Sequence, residues 1–152
     1  MRNLLFTFSL AVCSFLTSCA TKTDQQPVLS KEFINPASGY SQVVSVTTGN
    51  VKTLYISGQV GEGEGLEAQM RSVLAHLEKQ LAEGGATFKD IVKMNTYIVD
   101  YKPSDLDIFR GVRKEIMGDT DMPASTLVGV QSLALEQWLI EMEAVAVVEI
   151  DP

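Results

Sequence analysis

Between residues 138 and 149 the chain alternates, with Ile140, Met142, Ala144, Ala146 and Val148 at one set of positions and Leu139, Glu141, Glu143, Val145 and Val147 at the other. A period of two belongs to a β-strand, whose successive side chains point to opposite faces of a sheet. The first set is wholly apolar and has to be covered. The second mixes apolar residues with two carboxylates, a composition rarely left fully wet. A chain containing such a strand must shield both faces of a sheet.

The remaining pattern supplies cover for one face only. Residues 42–48 are rich in valine and threonine and read as a strand, and Gly49-Asn50 is a turn signal leading to a hairpin partner over 52–57. Gly61-Glu62-Gly63-Glu64-Gly65 is an acidic, glycine-rich loop. A helix is expected over 66–82, where Leu66, Met70, Val73, Leu74, Leu77 and Leu81 fall on one stripe, and Gly84-Gly85 stops it. Residues 91–100 form the next strand, broken by Lys102 and Pro103. Ser104 is placed to cap a second helix, with Asp107 as its capping-box partner. That helix runs to about Met117 with Leu106, Phe109, Val112 and Ile116 inward, and Gly118 ends it. Two more strands, 124–131 and 138–149, are joined by a short loop over 132–137. The order is ββαβαββ, an α+β fold with a single sheet and two helices on one face. A homo-oligomer that closes the other face follows, with Glu141 and Glu143 at or near a subunit boundary.

The first residues carry an export signal. Arg2 gives a positive start, residues 4–15 are apolar, and Leu16-Thr17-Ser18-Cys19 follows. The apolar run is shorter than the roughly 20 residues a membrane-spanning helix needs. Branched apolar, small, small, cysteine is similar to a bacterial lipobox, in which Cys19 becomes the lipid-bearing first residue. Ordinary cleavage at Ser18-Cys19-Ala20 is the alternative. No aspartate follows Cys19, which resembles outer-membrane sorting. The expected organisation is a leader over 1–18, a polar tether over 19–34 and a domain over 35–152, exported and lipid-anchored at the cell envelope. Without the leader, 134 residues remain, enough for one domain, and the formal charge moves from −7 to −8. Such an acidic body argues against nucleic acid as a partner, since that affinity comes mainly from Lys and Arg on phosphate. Cys13 leaves with the leader and Cys19 would be lipidated, so no disulfide is expected.

The residues narrow the chemistry further. The chain has one histidine, His76, on the flank of the first helix and expected to be solvated. A His/Cys metal site and a serine–histidine–aspartate arrangement are thereby disfavoured. No phosphate-binding glycine motif is present, and the glutamates of the Gly61–Gly65 run would repel phosphate. Glu141 and Glu143 share a face, and a half-buried carboxylate can hold or pass a proton near neutrality. Spacing alone fits equally a pair solvated or ion-paired at an oligomer interface.

Gly39-Tyr40-Ser41-Gln42, Tyr55-Ile56-Ser57-Gly58-Gln59, Glu67-Ala68-Gln69, Val92-Lys93, Pro123-Ala124-Ser125-Thr126 and Glu141-Met142-Glu143-Ala144 occur in that order. With the ββαβαββ pattern they resemble the RidA family, also called YjgF or L-PSP, over about residues 35–148. The resemblance implies a chorismate-mutase-like fold and a homotrimer with small-molecule ligands in clefts between subunits. Family members that are enzymes hydrolyse enamines and imines to ketones and ammonia without a cofactor. By the resemblance, Tyr40 is the pocket tyrosine, Ser57 and Gly58 supply lining backbone, and Glu141 places or activates the attacking water. One position departs: deaminating members carry an arginine after the Pro-Ala pair, where this chain has Ser125. A serine hydroxyl offers one neutral hydrogen bond in place of a bidentate charged fork, forfeiting ~1.5–3 kcal/mol of carboxylate binding. Arg110 and Arg113, on the second helix, read as surface charges, and Trp138 as packing at a strand start. Two readings therefore stand: an imine hydrolase with altered substrates, and a trimeric binding protein that holds a small metabolite at the envelope.

Overall fold

The computed structural model describes residues 28–118 and 121–151; the leader and Cys19 lie outside them. Six strands form one sheet: β1 (Leu29–Ala37), β2 (Tyr40–Thr48), β3 (Val51–Val60), β4 (Ile91–Val99), β5 (Ala124–Val130) and β6 (Ile140–Glu149). Their spatial order is β1-β2-β3-β6-β4-β5. All neighbours are antiparallel except β4 and β5, which are joined through a helix and run parallel. Helices α1 (Gly65–Glu83) and α2 (Asp105–Met117) supply the second layer.

The core lies between helices and sheet. Met70, Val73, Leu74, Leu77 and Leu81 of α1 are fully buried, and Phe109 and Val112 of α2 nearly so. They meet Val43, Leu54, Ile56, Met94, Ile98, Ile140, Met142, Ala144 and Ala146 of the sheet. Each buried Leu, Ile, Val or Met contributes roughly 1.5–3 kcal/mol. The alternation of β6 is therefore realised as expected, one set packed against the helices and the other, with Glu141 and Glu143, on the open face. Leu66 and Leu106 are only partly buried, and Ile116 is 36% exposed at the end of its helix. After α1, Gly84 lies so close to Leu54 that a Cβ would stand 2.5 Å from its Cδ1. Gly85 then turns with φ +76°, so this glycine pair serves both close packing and a left-handed exit.

Three expectations are corrected. Residues 29–34 are strand, not tether, and the sheet has six strands where the sequence pattern showed five. β1 pairs with β2 from Leu29↔Thr48 to Ala37↔Tyr40. Its Lys31, Glu32, Asn35 and Pro36 mask any alternation, and they suit an edge strand, where charge and proline discourage further pairing. Ser104 makes no side-chain cap; its backbone is already helical, and Asp105 Oδ2 instead accepts from the Lys102 amide at 2.8 Å. The capping box sits before β4, on a 3₁₀ turn over Phe88–Asp90, where Thr87 and Asp90 bond reciprocally. His76 is half-buried, with Nδ1 3.0 Å from the Val60 carbonyl oxygen, because α1 lies directly over the end of β3. No described helix is long and apolar enough to cross a membrane.

Candidate functional site

The β3–β6 ladder is regular up to Ile56↔Ala144 and resumes at Gln59↔Met142. Ser57 and Gly58 lie in the irregularity between, so their backbone leaves the ladder at this point. Ser57 Oγ donates to the Ser41 carbonyl at 2.7 Å, fastening the irregular segment to β2. Gln59, only 6% exposed, donates through Nε2 to Gln42 Oε1 at 2.8 Å and to the Ser57 carbonyl at 2.9 Å. Gln42 in turn donates to the Tyr40 hydroxyl at 3.4 Å. Tyr40 opens β2 directly after Gly39 (φ +90°), with its ring half exposed. A connected polar chain thus runs Tyr40–Gln42–Gln59–Ser57.

Glu141 meets the same irregular segment from the open face, whereas Gln59, paired with the buried Met142, lies on the helix side. A Cβ built on Gly58 would fall 1.8 Å from Glu141 Oε1 and 2.6 Å from its Cδ, so the carboxylate occupies the space that glycine leaves. Partial burial raises the Glu141 proton affinity above the ordinary carboxylate range, and the charge of Glu143 adds to it. Glu143 lies two residues on, on the same face, with Oε1 accepting from Asn95 Nδ2 at 2.7 Å and from the Tyr97 hydroxyl at 3.1 Å. Tyr97, opposite Glu141 in the β4–β6 register, is raised by burial first and by its bond to Glu143 second. A cavity of about 210 Å³ lies beside Glu143, lined by Tyr55, Lys93, Asn95 and Val145 among others.

Ser125 is elsewhere. It pairs with Met94 across the parallel β4–β5 ladder, and Met94 pairs with Ala144. Cross-strand partners share a face, so Ser125 lies on the face of the buried Met94 and Ala144. Glu141 lies on the other, with β4 between them. One chain brings Glu141 to Gly58 and ties Tyr40 to Ser57 through Gln42 and Gln59, but does not bring Ser125 to Glu141. Arg113 stacks its guanidinium 5.1 Å from the Phe109 ring centroid and Arg110 is exposed, both on α2 across the sheet from Glu141. The loop before β6 is pinned to α1 by Gln69. Its Nε2 donates to the carbonyls of Gln137 (2.8 Å) and Gly63 (3.1 Å), and its Oε1 accepts from the Leu139 amide at 2.8 Å. Trp138 is half-buried in that loop.

Sequence reasoning gave Gln42, Gln59, Asn95 and Tyr97 no role. Their signal was a polar amide or phenol inside a strand next to a carboxylate or glycine position, where a buried polar group needs a partner.

Comparison with known proteins agrees with this architecture. The model of the family described as Endoribonuclease L-PSP matches residues 30–148. A RutC family protein of Aquifex aeolicus is 33% identical over 135 residues, covering 83% of this chain and 96% of its own. A crystal structure from Mycobacterium tuberculosis, a member of the YjgF/YER057c/UK114 family, superposes with a TM-score of 0.66 at 27% identity, covering 78% of this chain and all of its own. RidA from an Antarctic Psychrobacter gives a TM-score of 0.63 at 27% identity over 84% of this chain and 97% of its own.

Proposed function

Since this chain belongs to the L-PSP family, also called YjgF or RidA, we propose that it hydrolyses a small imine or enamine at a site built around Glu141. The observation that carries this is the Glu141 carboxylate seated against Gly58, partly desolvated and shifted toward holding a proton. In the proposed step, water adds its oxygen to the imine carbon as Glu141 takes its proton. The C=N electron pair moves to nitrogen, which receives that proton back from Glu141; Glu141 then takes the hydroxyl proton of the carbinolamine and passes it to nitrogen as the C–N bond breaks, leaving a carbonyl compound and ammonia. Tyr40 would contact the nitrogen end, and the displaced backbone of Ser57 and Gly58 would orient the water. No cofactor is required by this balance.

The chain acts as a homotrimer in this reading. Ser125 and Glu141 lie on opposite faces of one sheet, so a pocket using both needs the edge strand of a second copy. A monomer by sedimentation of residues 28–152 would overturn the trimer and the intersubunit pocket together.

A second reading rests on Ser125 itself. Without an arginine after Pro123-Ala124, a carboxylate loses its bidentate clamp, and the pocket holds a small metabolite without turning it over. Release of ammonia and keto acid from freshly generated 2-iminobutanoate separates the two. Turnover by wild type that disappears in Glu141→Ala supports the hydrolase; silence in wild type with activity gained in Ser125→Arg supports the binder. Ribonuclease action is the less supported reading, because a formal charge of −7 repels a polyanion.

The motif ending in Cys19 supports export and lipid anchoring, facing the periplasm from the outer membrane. Labelling with radioactive palmitate that is lost in Cys19→Ala, with loss of the membrane-bound fraction, is the expected result; equal labelling of both would sink it.

A further inference from the structure

The two carboxylates of β6 are held in different ways. Glu143 Oε1 receives two hydrogen bonds, from Asn95 Nδ2 and from the Tyr97 hydroxyl, both on β4 and both neutral. The donors sit in register with the pair: Asn95 opposite Glu143, Tyr97 opposite Glu141. Two donors converging on one oxygen favour the ionised form and fix its place. Glu141 instead packs on the Gly58 backbone, and among the described residues no side chain donates to it.

We propose that Asn95, Tyr97 and Glu143 form a positioning unit for Glu141, holding one carboxylate of the pair as a fixed anion so that the proton taken from water goes to the other. The inference rests on the reading of Glu141 given above. Two carboxylates on one face cannot both ionise freely, and environments that differ assign them different tasks. Here the assignment is structural: the bonded member stays charged, and the desolvated member takes the proton. The direction of the Glu141 shift, caused by burial and then by Glu143, agrees.

The other charged or titratable groups on this face are Lys93 of β4, Tyr55 of β3, Glu149 at the far end of β6 and Lys31 of β1, all further along or across the sheet. The Lys93 ammonium is engaged with Thr126 Oγ1 at 2.7 Å. The part of β3 beside Glu141, from Ser57 to Val60, contributes no titratable side chain. Glu143 is thus the charge on this face that acts on Glu141.

The test is a carbon-13 NMR titration of the glutamate carboxyls in the assembled protein, with Glu141→Gln and Glu143→Gln for assignment. In Glu143→Gln the amide oxygen can still accept both hydrogen bonds, so only the charge is lost, and the Glu141 midpoint moves down. An unmoved Glu141 midpoint in Glu143→Gln would overturn the proposal. This readout needs no turnover, so it stands apart from the success or failure of the hydrolase reading. If imine turnover is measurable, the acid limb of kcat/KM moves to lower pH in Glu143→Gln. A purely structural Glu143 would change the melting temperature and leave both the limb and the midpoint in place.

Discussion

At the centre of the sheet, Ser57, Gly58, Gln59 and Glu141 are held by β2, β3 and β6 together, with backbone irregularity, hydrogen bonds and close packing acting on the same few atoms. At the edge, Ser125 is exposed on β5, with only β4 beside it. The central group has every neighbour it needs within one chain. The edge residue acquires a role only from what is brought to it. A protein built this way can keep the water-handling half of its site fixed while the substrate-gripping half varies, because the two are not packed on each other.

The largest expected effect breaks the centre. Gly58→Ala places a methyl where the Glu141 carboxylate lies, and the carboxylate must swing away. Turnover or ligand binding that depends on Glu141 should fall by about 100-fold, the cost of misplacing a catalytic group by around 1 Å. Steady-state kinetics checks the fall, and an unchanged rate would remove Glu141 from the mechanism. Next in size, Gln59→Ala leaves Gln42 Oε1 and the Ser57 carbonyl without their donor and should cost ~1–3 kcal/mol in urea denaturation.

A smaller effect depends on pH. The folded-state affinity of Glu141 for a proton is raised, so its contribution to stability is fully present below the unfolded pKa and is lost as pH rises through the folded one. Glu141→Gln should therefore be more stable than wild type near pH 7, with the gain shrinking as pH falls toward the ordinary glutamate range. Denaturation midpoints across that range measure it, and a pH-independent difference would contradict it. At the small end, Ser125→Ala should stay within ~0.5 kcal/mol of wild type, as expected of an exposed residue with no described bond. A larger loss would mean that the edge is as tightly built as the centre.

Much of this arrangement was legible beforehand. The helical stripes of α1 and α2 and the alternation of β6 are local periodicities, and they fix the face on which Glu141 and Glu143 lie. β1 was illegible because Lys31, Glu32, Asn35 and Pro36 carry no period; it is strand because β2 offers an edge. The capping box was misplaced because Ser104/Asp107 and Thr87/Asp90 satisfy the same spacing, and only tertiary position distinguishes them. The side of the sheet that Ser125 takes could not be read, since it depends on the β4–β5 register and not on its own neighbours. Gln42 and Gln59 were visible as motif letters, but their mutual bond joins two strands and has no signature in either.

The contact between Gly58 and Glu141 has a bearing on how this sequence can diverge. The two positions lie 83 residues apart, yet the Glu141 side chain can hold this orientation only while position 58 has no side chain. Position 58 cannot gain a side chain while the Glu141 carboxylate keeps its place. A library randomised at 141 with glycine kept at 58 would tolerate bulk there, whereas one randomised at 58 would enrich short residues at 141. Substitutions at these two sites should be inherited as a pair.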